Sequence, residues 1–113
     1  MVFKGLTDDR LAIHELVMTY GDAVTRKDSD GWGNTWAKNA IWSVPNFSGL
    51  EKVEGRKEIV KKWEEAMMNY KYIVFTALLG SLEISENIAK GTTYTIEVST
   101  DIEDIKAQIH GQY

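Results

Sequence analysis

The chain has 113 residues, 43% hydrophobic and 27% charged, a length that predicts one domain over 1–113 with a single core and a composition that excludes dominant disorder. Its formal net charge of −4 argues against a nucleic-acid partner, because Arg56, Lys57, Lys61 and Lys62 alternate with Glu54, Glu58, Glu64 and Glu65 as on a solvated helix face. The absence of cysteine excludes disulfides, thiol chemistry and cysteine-type zinc sites, and fits a reducing compartment.

The first helix is expected to start at Thr7, whose side-chain oxygen can accept from the free amides of the first turn. Asp8 and Asp9 then sit at the positive end of the helix dipole. Leu6 and Leu11 are spaced for a hydrophobic staple across that start. Ile13, Leu16, Val17, Tyr20 and Val24 recur at helical spacing as an apolar stripe, opposite Arg10, Glu15 and Thr19. Gly21 interrupts the pattern at a cost of ~1 kcal/mol relative to alanine, which points to close approach by a strand or a ligand. Arg26 and Lys27 suit the carbonyl end. Asp28-Ser29-Asp30-Gly31 reads as a turn and a new N-cap, followed by a short helix carrying Trp32 and Trp36 on one face. Ala40 to Val44 reads as a strand stopped by Pro45, and Asn46 to Val53 as a loop or small edge strand.

Gly55 precedes a third helix over roughly Arg56 to Asn69, with Ile59, Val60, Trp63, Ala66 and Met67 as its buried stripe. After it the period changes. Tyr72 to Leu79 is a nearly continuous apolar run, Leu82 to Ser85 alternates, and Glu86-Asn87 signals a hairpin turn. Ile88 to Ser99 alternates through Tyr94, Ile96 and Val98. Thr100 to Asp104 is a second turn, and Ile105 to Tyr113 opens another strand. This order predicts an α+β fold with helices grouped on one side of an antiparallel sheet.

Chemistry-bearing residues are few. Asp22 is the candidate general base of the first helix, but it stands about 200° around the helix from Tyr20 and four residues before Arg26, as in an ordinary surface pair. Tyr20, on the buried stripe, is a candidate hydroxyl donor to a ligand oxygen or a core tyrosine with a satisfied hydroxyl. His110 faces pocket or solvent by strand parity alone, and His14 reads as a boundary residue. Two histidines far apart in sequence, without ligand spacing, predict no metal site. Met1 to Gly5 is too short for a signal peptide, and no apolar run approaches the ~20 residues of a membrane span, so the expectation is a cytoplasmic protein with no membrane partner.

Several stretches together resemble one family. They are Ala12-Ile13-His14-Glu15-Leu16 with Tyr20, Lys27-Asp28 with Trp32 and Trp36, Asn39-Ala40-Ile41-Trp42, Val53-Glu54-Gly55-Arg56-Lys57-Glu58-Ile59, and Gly111-Gln112-Tyr113. In order and spacing they resemble the SnoaL-like branch of the NTF2-like (cystatin-like α+β cone) superfamily, nearest to relatives of scytalone dehydratase and hexachlorocyclohexane dehydrochlorinase. The resemblance implies a curved antiparallel sheet wrapped on the N-terminal helices around a conical pocket for a small apolar or aromatic ligand. It also implies a homodimer or homotrimer built through the sheet. The walls are then expected from Tyr20, Val24, Thr25, Trp36, Trp42, Trp63, Met67, Phe75 and Tyr94, although residues at such spacing also make plain core.

Two departures qualify what the resemblance carries. Those relatives use an Asp near the end of the first helix and a His on the strand after the third; by spacing these positions fall on Thr25 and Phe75, neither of which exchanges a proton at neutral pH. Relatives also run on past Gly-x-Tyr into a last strand, so the cone is expected to lack its usual C-terminal strand, through truncation or replacement by a partner strand. The functional expectation is a cofactor-independent dehydratase, isomerase or cyclase-type lyase, with Tyr20, Asp22 and His110 as candidate catalytic residues. The alternative is a non-catalytic ligand-binding or oligomerisation module.

Overall fold

The computed structural model describes residues 2–113. Its elements are β1 (Phe3–Lys4), α1 (Thr7–Arg26), α2 (Ser29–Gly33), β2 (Ile41–Trp42), β3 (Val53–Glu54), α3 (Arg56–Met67), β4 (Tyr70–Ser85), β5 (Ile88–Asp101) and β6 (Lys106–Gln112). The main sheet has the order β1-β4-β5-β6, antiparallel except for β1, which pairs parallel with β4 at Leu82 and Glu83. β2 and β3 form a separate antiparallel ribbon. The sheet is strongly curled, and α1 packs along β4 on its concave side. This is the expected α+β cone. Among the described residues no helix is long and apolar enough to cross a membrane.

α1 keeps its expected bounds, but its start is built differently. Thr7 is already helical; Leu6 occupies the cap position without a side-chain hydrogen bond, and Thr7 Oγ1 instead accepts from Arg10 Nη2 at 3.4 Å. Leu6 and Leu11 are both largely exposed, so no staple covers this end. The reason is that the first turns lie off the core: of them only Arg10 and Ile13 are half-buried, and contact with the core sets in from Val17 onward. At the other end Lys27 adopts the left-handed conformation (φ 52°), and its amide closes on the carbonyls of Ala23 and Val24. The Lys27 ammonium caps the carbonyl of Tyr70, tying the helix end to β4.

α2 is short and depends on its cap. Asp28 accepts from Gly31 N at 3.0 Å, satisfying one of the free amides of the first turn. The strand expected over Ala40 to Val44 contracts to Ile41–Trp42, because Ser43 Oγ and Val44 N turn to the loop carbonyls of Glu51 and Leu50. The two segments expected after α3 are one strand, β4, whose register with β5 slips between Leu79 and Ser81. β1 was not expected, since two residues carry no periodicity.

The core joins Ala23 and Val24 of α1 to Ile59 and Trp63 of α3, Val53 of β3, and Ile73, Phe75 and Ala77 of β4. Its centre is Trp32, fully buried, stacked on Trp63 with ring centroids 4.6 Å apart and 12° between planes. Trp36 and Trp42 meet Trp32 edge-on at 5.6 and 5.5 Å, so all four tryptophans form one cluster. Gly21 explains the break in the α1 stripe: an added Cβ would lie 3.2 Å from the Phe75 carbonyl oxygen. The close approach is therefore made by a strand, and mid-sheet backbone yields poorly. Gly21→Val is expected to destabilise the fold by about 1–3 kcal/mol in urea denaturation, despite leaving the helix pattern intact, as overpacking of a filled interior does.

Candidate ligand pocket

Between α1 and the concave face of the sheet lies a cavity of about 220 Å³. Leu16, Val17, Trp36, Phe75 and Ala77 line it together with Tyr20, Thr35, Thr93, Thr95 and Tyr113, and the surface these residues present is almost wholly apolar, the Thr35 hydroxyl being turned to the Trp32 carbonyl. An apolar cavity of about 150 Å³ takes up benzene, so this one has room for a substituted or fused ring. The arrangement follows from local structure. Tyr20 projects from the buried stripe of α1 and touches Trp32, Trp36 and Phe75 at ring distances of 5.6, 6.2 and 5.5 Å. Trp36 lies just beyond α2, where the Arg56 guanidinium fixes its backbone by donating from Nε and Nη2 to the Trp36 carbonyl, the first at 2.7 Å. Gly111 stands opposite Thr95 across the β5–β6 ladder, and a Cβ there would meet Thr95 Oγ1 at 2.6 Å. A bare glycine keeps that stretch of the concave face open.

Parity on β5 decides which side chains enter. Thr95 and Ser99 are buried, and Thr93 lines the cavity, whereas Tyr94 and Val98 are exposed. The polar half of the alternation faces inward and the apolar half outward. This corrects the expectation for Tyr94, which pairs with Leu78 on the convex face and is 51% exposed. The same rule corrects His110: it pairs with Ile96 on the convex side, and its Nε2 contacts the Gln108 amide at 3.3 Å. Asp22 is likewise outside the cavity, on the solvent face of α1, 3.3 Å from Arg26 Nη1.

Of the expected wall residues, Tyr20, Trp36 and Phe75 line the cavity together. Val24, Trp42 and Trp63 are buried behind it as core, because the aromatic cluster fills the space they would otherwise border. Met67 borders a separate surface depression near Lys27 and Tyr70. Thr25 is committed to structure. Its Oγ1 donates to Gly21 O at 3.0 Å and accepts from Phe75 N at 3.0 Å, which ties α1 to β4 at this point. The residues missed from sequence are the hydroxyl set of β5, Tyr113 and Glu97. The period-2 alternation of Thr93, Thr95, Glu97 and Ser99 was the available signal, but it does not say which face is inside.

The electrostatics are those of a dry interior. Burial, reinforced by the neighbouring Tyr113 phenol, pushes the Tyr20 phenol far above the ordinary tyrosine range, outweighing the Trp32 N–H that faces it. Tyr20 therefore remains a hydrogen-bond donor at any physiological pH. Burial and then the charge of Glu97 raise Tyr113, while burial alone raises Glu97. The indole N–H groups of Trp32 and Trp42 are directed at Tyr20 and Tyr113 without closing hydrogen bonds of full geometry; with that of Trp36 they are buried and unpartnered.

The sequence matches the family model of the SnoaL-like domain over residues 6–111. The chain belongs to the SnoaL-like family. No curated protein matches it. Among solved structures this SnoaL-like chain is similar to a conserved protein from Planctomyces limnophilus (TM-score 0.81, 17% identity, 95% of this chain and 80% of that one). It is also similar to a candidate scytalone dehydratase from Novosphingobium aromaticivorans (TM-score 0.79, 17% identity, 96% and 74%). A third is a hexachlorocyclohexane dehydrochlorinase, LinA type 2 (TM-score 0.74, 18% identity, 94% and 74%). At these identities the likeness establishes the NTF2-like fold alone.

In this SnoaL-like cone the raised Glu97 carboxyl carries a sign for stability. Its contribution is fully present below the ordinary carboxylate range and is lost as pH rises through the raised value, because the folded state must then bury the charge. Glu97→Gln is expected to flatten that loss and to raise the thermal midpoint at pH 8 by a few degrees, measured as melting curves from pH 4 to 8.

Proposed function

We propose that this SnoaL-like protein takes a small apolar, ring-containing molecule into the cone and transforms it by proton transfer, as a dehydratase, isomerase or cyclase-type lyase working without metal or organic cofactor. The observation that carries the reading is the cavity: apolar walls large enough for a fused ring, with Tyr20 held as a neutral donor among them. The named activities of the solved relatives, a dehydratase and a dehydrochlorinase, are consistent with it. A second reading, binding without chemistry, draws on Thr25, whose hydroxyl is spent in helix and strand hydrogen bonds where the relatives are expected to carry an acid. Titration with 2-naphthol, read through tryptophan fluorescence, tests the common part of both. Saturable quenching is expected, and Trp36→Ala is expected to weaken binding at least about tenfold, or about 1.4 kcal/mol. No saturable change with this or other fused-ring probes sinks the reading.

We also propose that the chain assembles as a homodimer or homotrimer through the convex face of its sheet. Tyr72 and Leu78 of β4 and Tyr94 and Val98 of β5 leave that face apolar and exposed. Val98→Glu is expected to reduce the mass found by light scattering to that of one chain; a wild-type chain already monomeric at high concentration excludes this assembly.

A further inference from the structure

A second depression, of about 310 Å³, lies between the N-terminal turns of α1 and the end of β4, and shares no lining residue with the cone cavity. Its hydrocarbon comes from three elements: Phe3 of β1, Leu11 of α1, and Leu79 and Leu82 of β4. Its polar groups all come from α1. Thr7, Arg10, Leu11 and His14 stand at i, i+3, i+4 and i+7 and so form one stripe along the helix, turned to the depression. Phe3 pairs with Leu82 in the β1–β4 ladder, and both face it; the next pair, Lys4 and Glu83, projects from the other side of the sheet. No carboxylate lines these walls.

In a chain of net charge −4 this leaves one arginine in an unusual position. Arg26 pairs with Asp22, and the Arg56 guanidinium is spent on the Trp36 carbonyl. Arg10 is half-buried, and the ion pairs among the described residues do not include it. Its Nε donates to the Gly5 carbonyl at 3.1 Å and its Nη2 to Thr7 Oγ1 at 3.4 Å, which fixes the guanidinium against the helix start and leaves Nη1 without a hydrogen-bond partner in the chain. A guanidinium held in place beside hydrocarbon, with donors to spare and no anion, complements a carboxylate that carries an apolar body. His14, one turn further along, supplies an imidazole N–H to the same end.

We propose that this depression is a second ligand site, for a small hydrophobic carboxylic acid bound as its anion. The carboxylate meets Arg10 and His14, and the hydrocarbon lies against Phe3, Leu11, Leu79 and Leu82. The charge separates the two sites: the cone cavity has no cation in its lining and suits a neutral ring, whereas the α1 stripe selects an anion. The proposal does not depend on the reading of the cone.

The test is calorimetric titration of the full chain with sodium octanoate, with ¹H–¹⁵N shift mapping to locate it. Saturable binding is expected, with shifts at Thr7, Arg10, Leu11 and His14, and 1-octanol, which lacks the charge, is expected to bind at least about tenfold more weakly. Arg10→Gln is expected to weaken octanoate by about tenfold or more, and Arg10→Lys, which keeps the charge without the planar fork, to recover part of the loss. Leu11→Glu puts a like charge on a wall at an exposed position and is expected to abolish binding without unfolding the chain, which near-UV dichroism verifies. Saturating 2-naphthol is expected to leave octanoate affinity within about twofold. No saturable binding, equal affinity for 1-octanol, an Arg10→Gln chain that binds as well as wild type, or shifts confined to Val17, Thr93 and Thr95 of the cone each overturns the proposal and leaves the cone reading untouched.

Discussion

The packing of Trp32 is the constraint on which the rest of the chain depends. The ring is stacked on Trp63 of α3, meets Trp42 of β2 and Trp36 of the following loop edge-on, and touches Tyr20 of α1. Aromatic pairs of this geometry contribute about 0.5–1.5 kcal/mol each beyond the area they bury. A five-residue helix and a two-residue strand have no stability of their own, because helix nucleation is unfavourable and an isolated ribbon is marginal. Both are held by this cluster. The same contacts set Tyr20 and Trp36 at the edge of the cavity, so a wall of the candidate site is a by-product of how the core is tied together.

The second constraint is the contact between α1 and β4. Gly21 lets the helix approach the strand backbone, and Thr25 one turn later accepts the Phe75 amide while donating to the Gly21 carbonyl. Helix and strand are thereby locked in register, and Thr25 and Phe75 hold the frame together. The polar groups turned to the interior lie on β5 instead, at Thr93, Thr95, Glu97 and Ser99. Hydroxyls can satisfy themselves locally, but the unpartnered indole N–H groups and the desolvated Glu97 carboxyl are a cost to the folded state. Of these only Trp36 borders the cavity, beside Thr93 and Thr95 of β5, and Glu97 lies on the same concave face one inward position further along.

The elements were largely legible in the amino-acid order. The stripe of α1, the Asp28 cap, the α3 stripe and the Glu86-Asn87 hairpin were all readable from the chain, because each depends on neighbours within a few residues. Short strands were not: β1 has no period, and the strand over Ala40 to Val44 lost its end to loop hydrogen bonds that no local pattern encodes. The site was legible only in part. Tyr20, Trp36 and Phe75 were found because large aromatics on a buried stripe or an apolar strand have few other places to go. Tyr94 was misplaced, His110 left open and Glu97 missed, since alternation along β5 and β6 defines two faces without ranking them.

By itself the sequence determined the α+β order and the family to which the chain belongs. These depend on periodicity, caps and turns, which act over a few residues. Only the tertiary structure decided that the polar face of β5 turns inward while its apolar face is exposed. Curling the sheet around α1 sets that choice through the pairing of β4, β5 and β6, and pairing is a property of residues distant along the chain. From it follow a cavity bordered by Thr93 and Thr95, an outward His110, an Asp22 left on the surface, and a Glu97 on the concave face of the sheet.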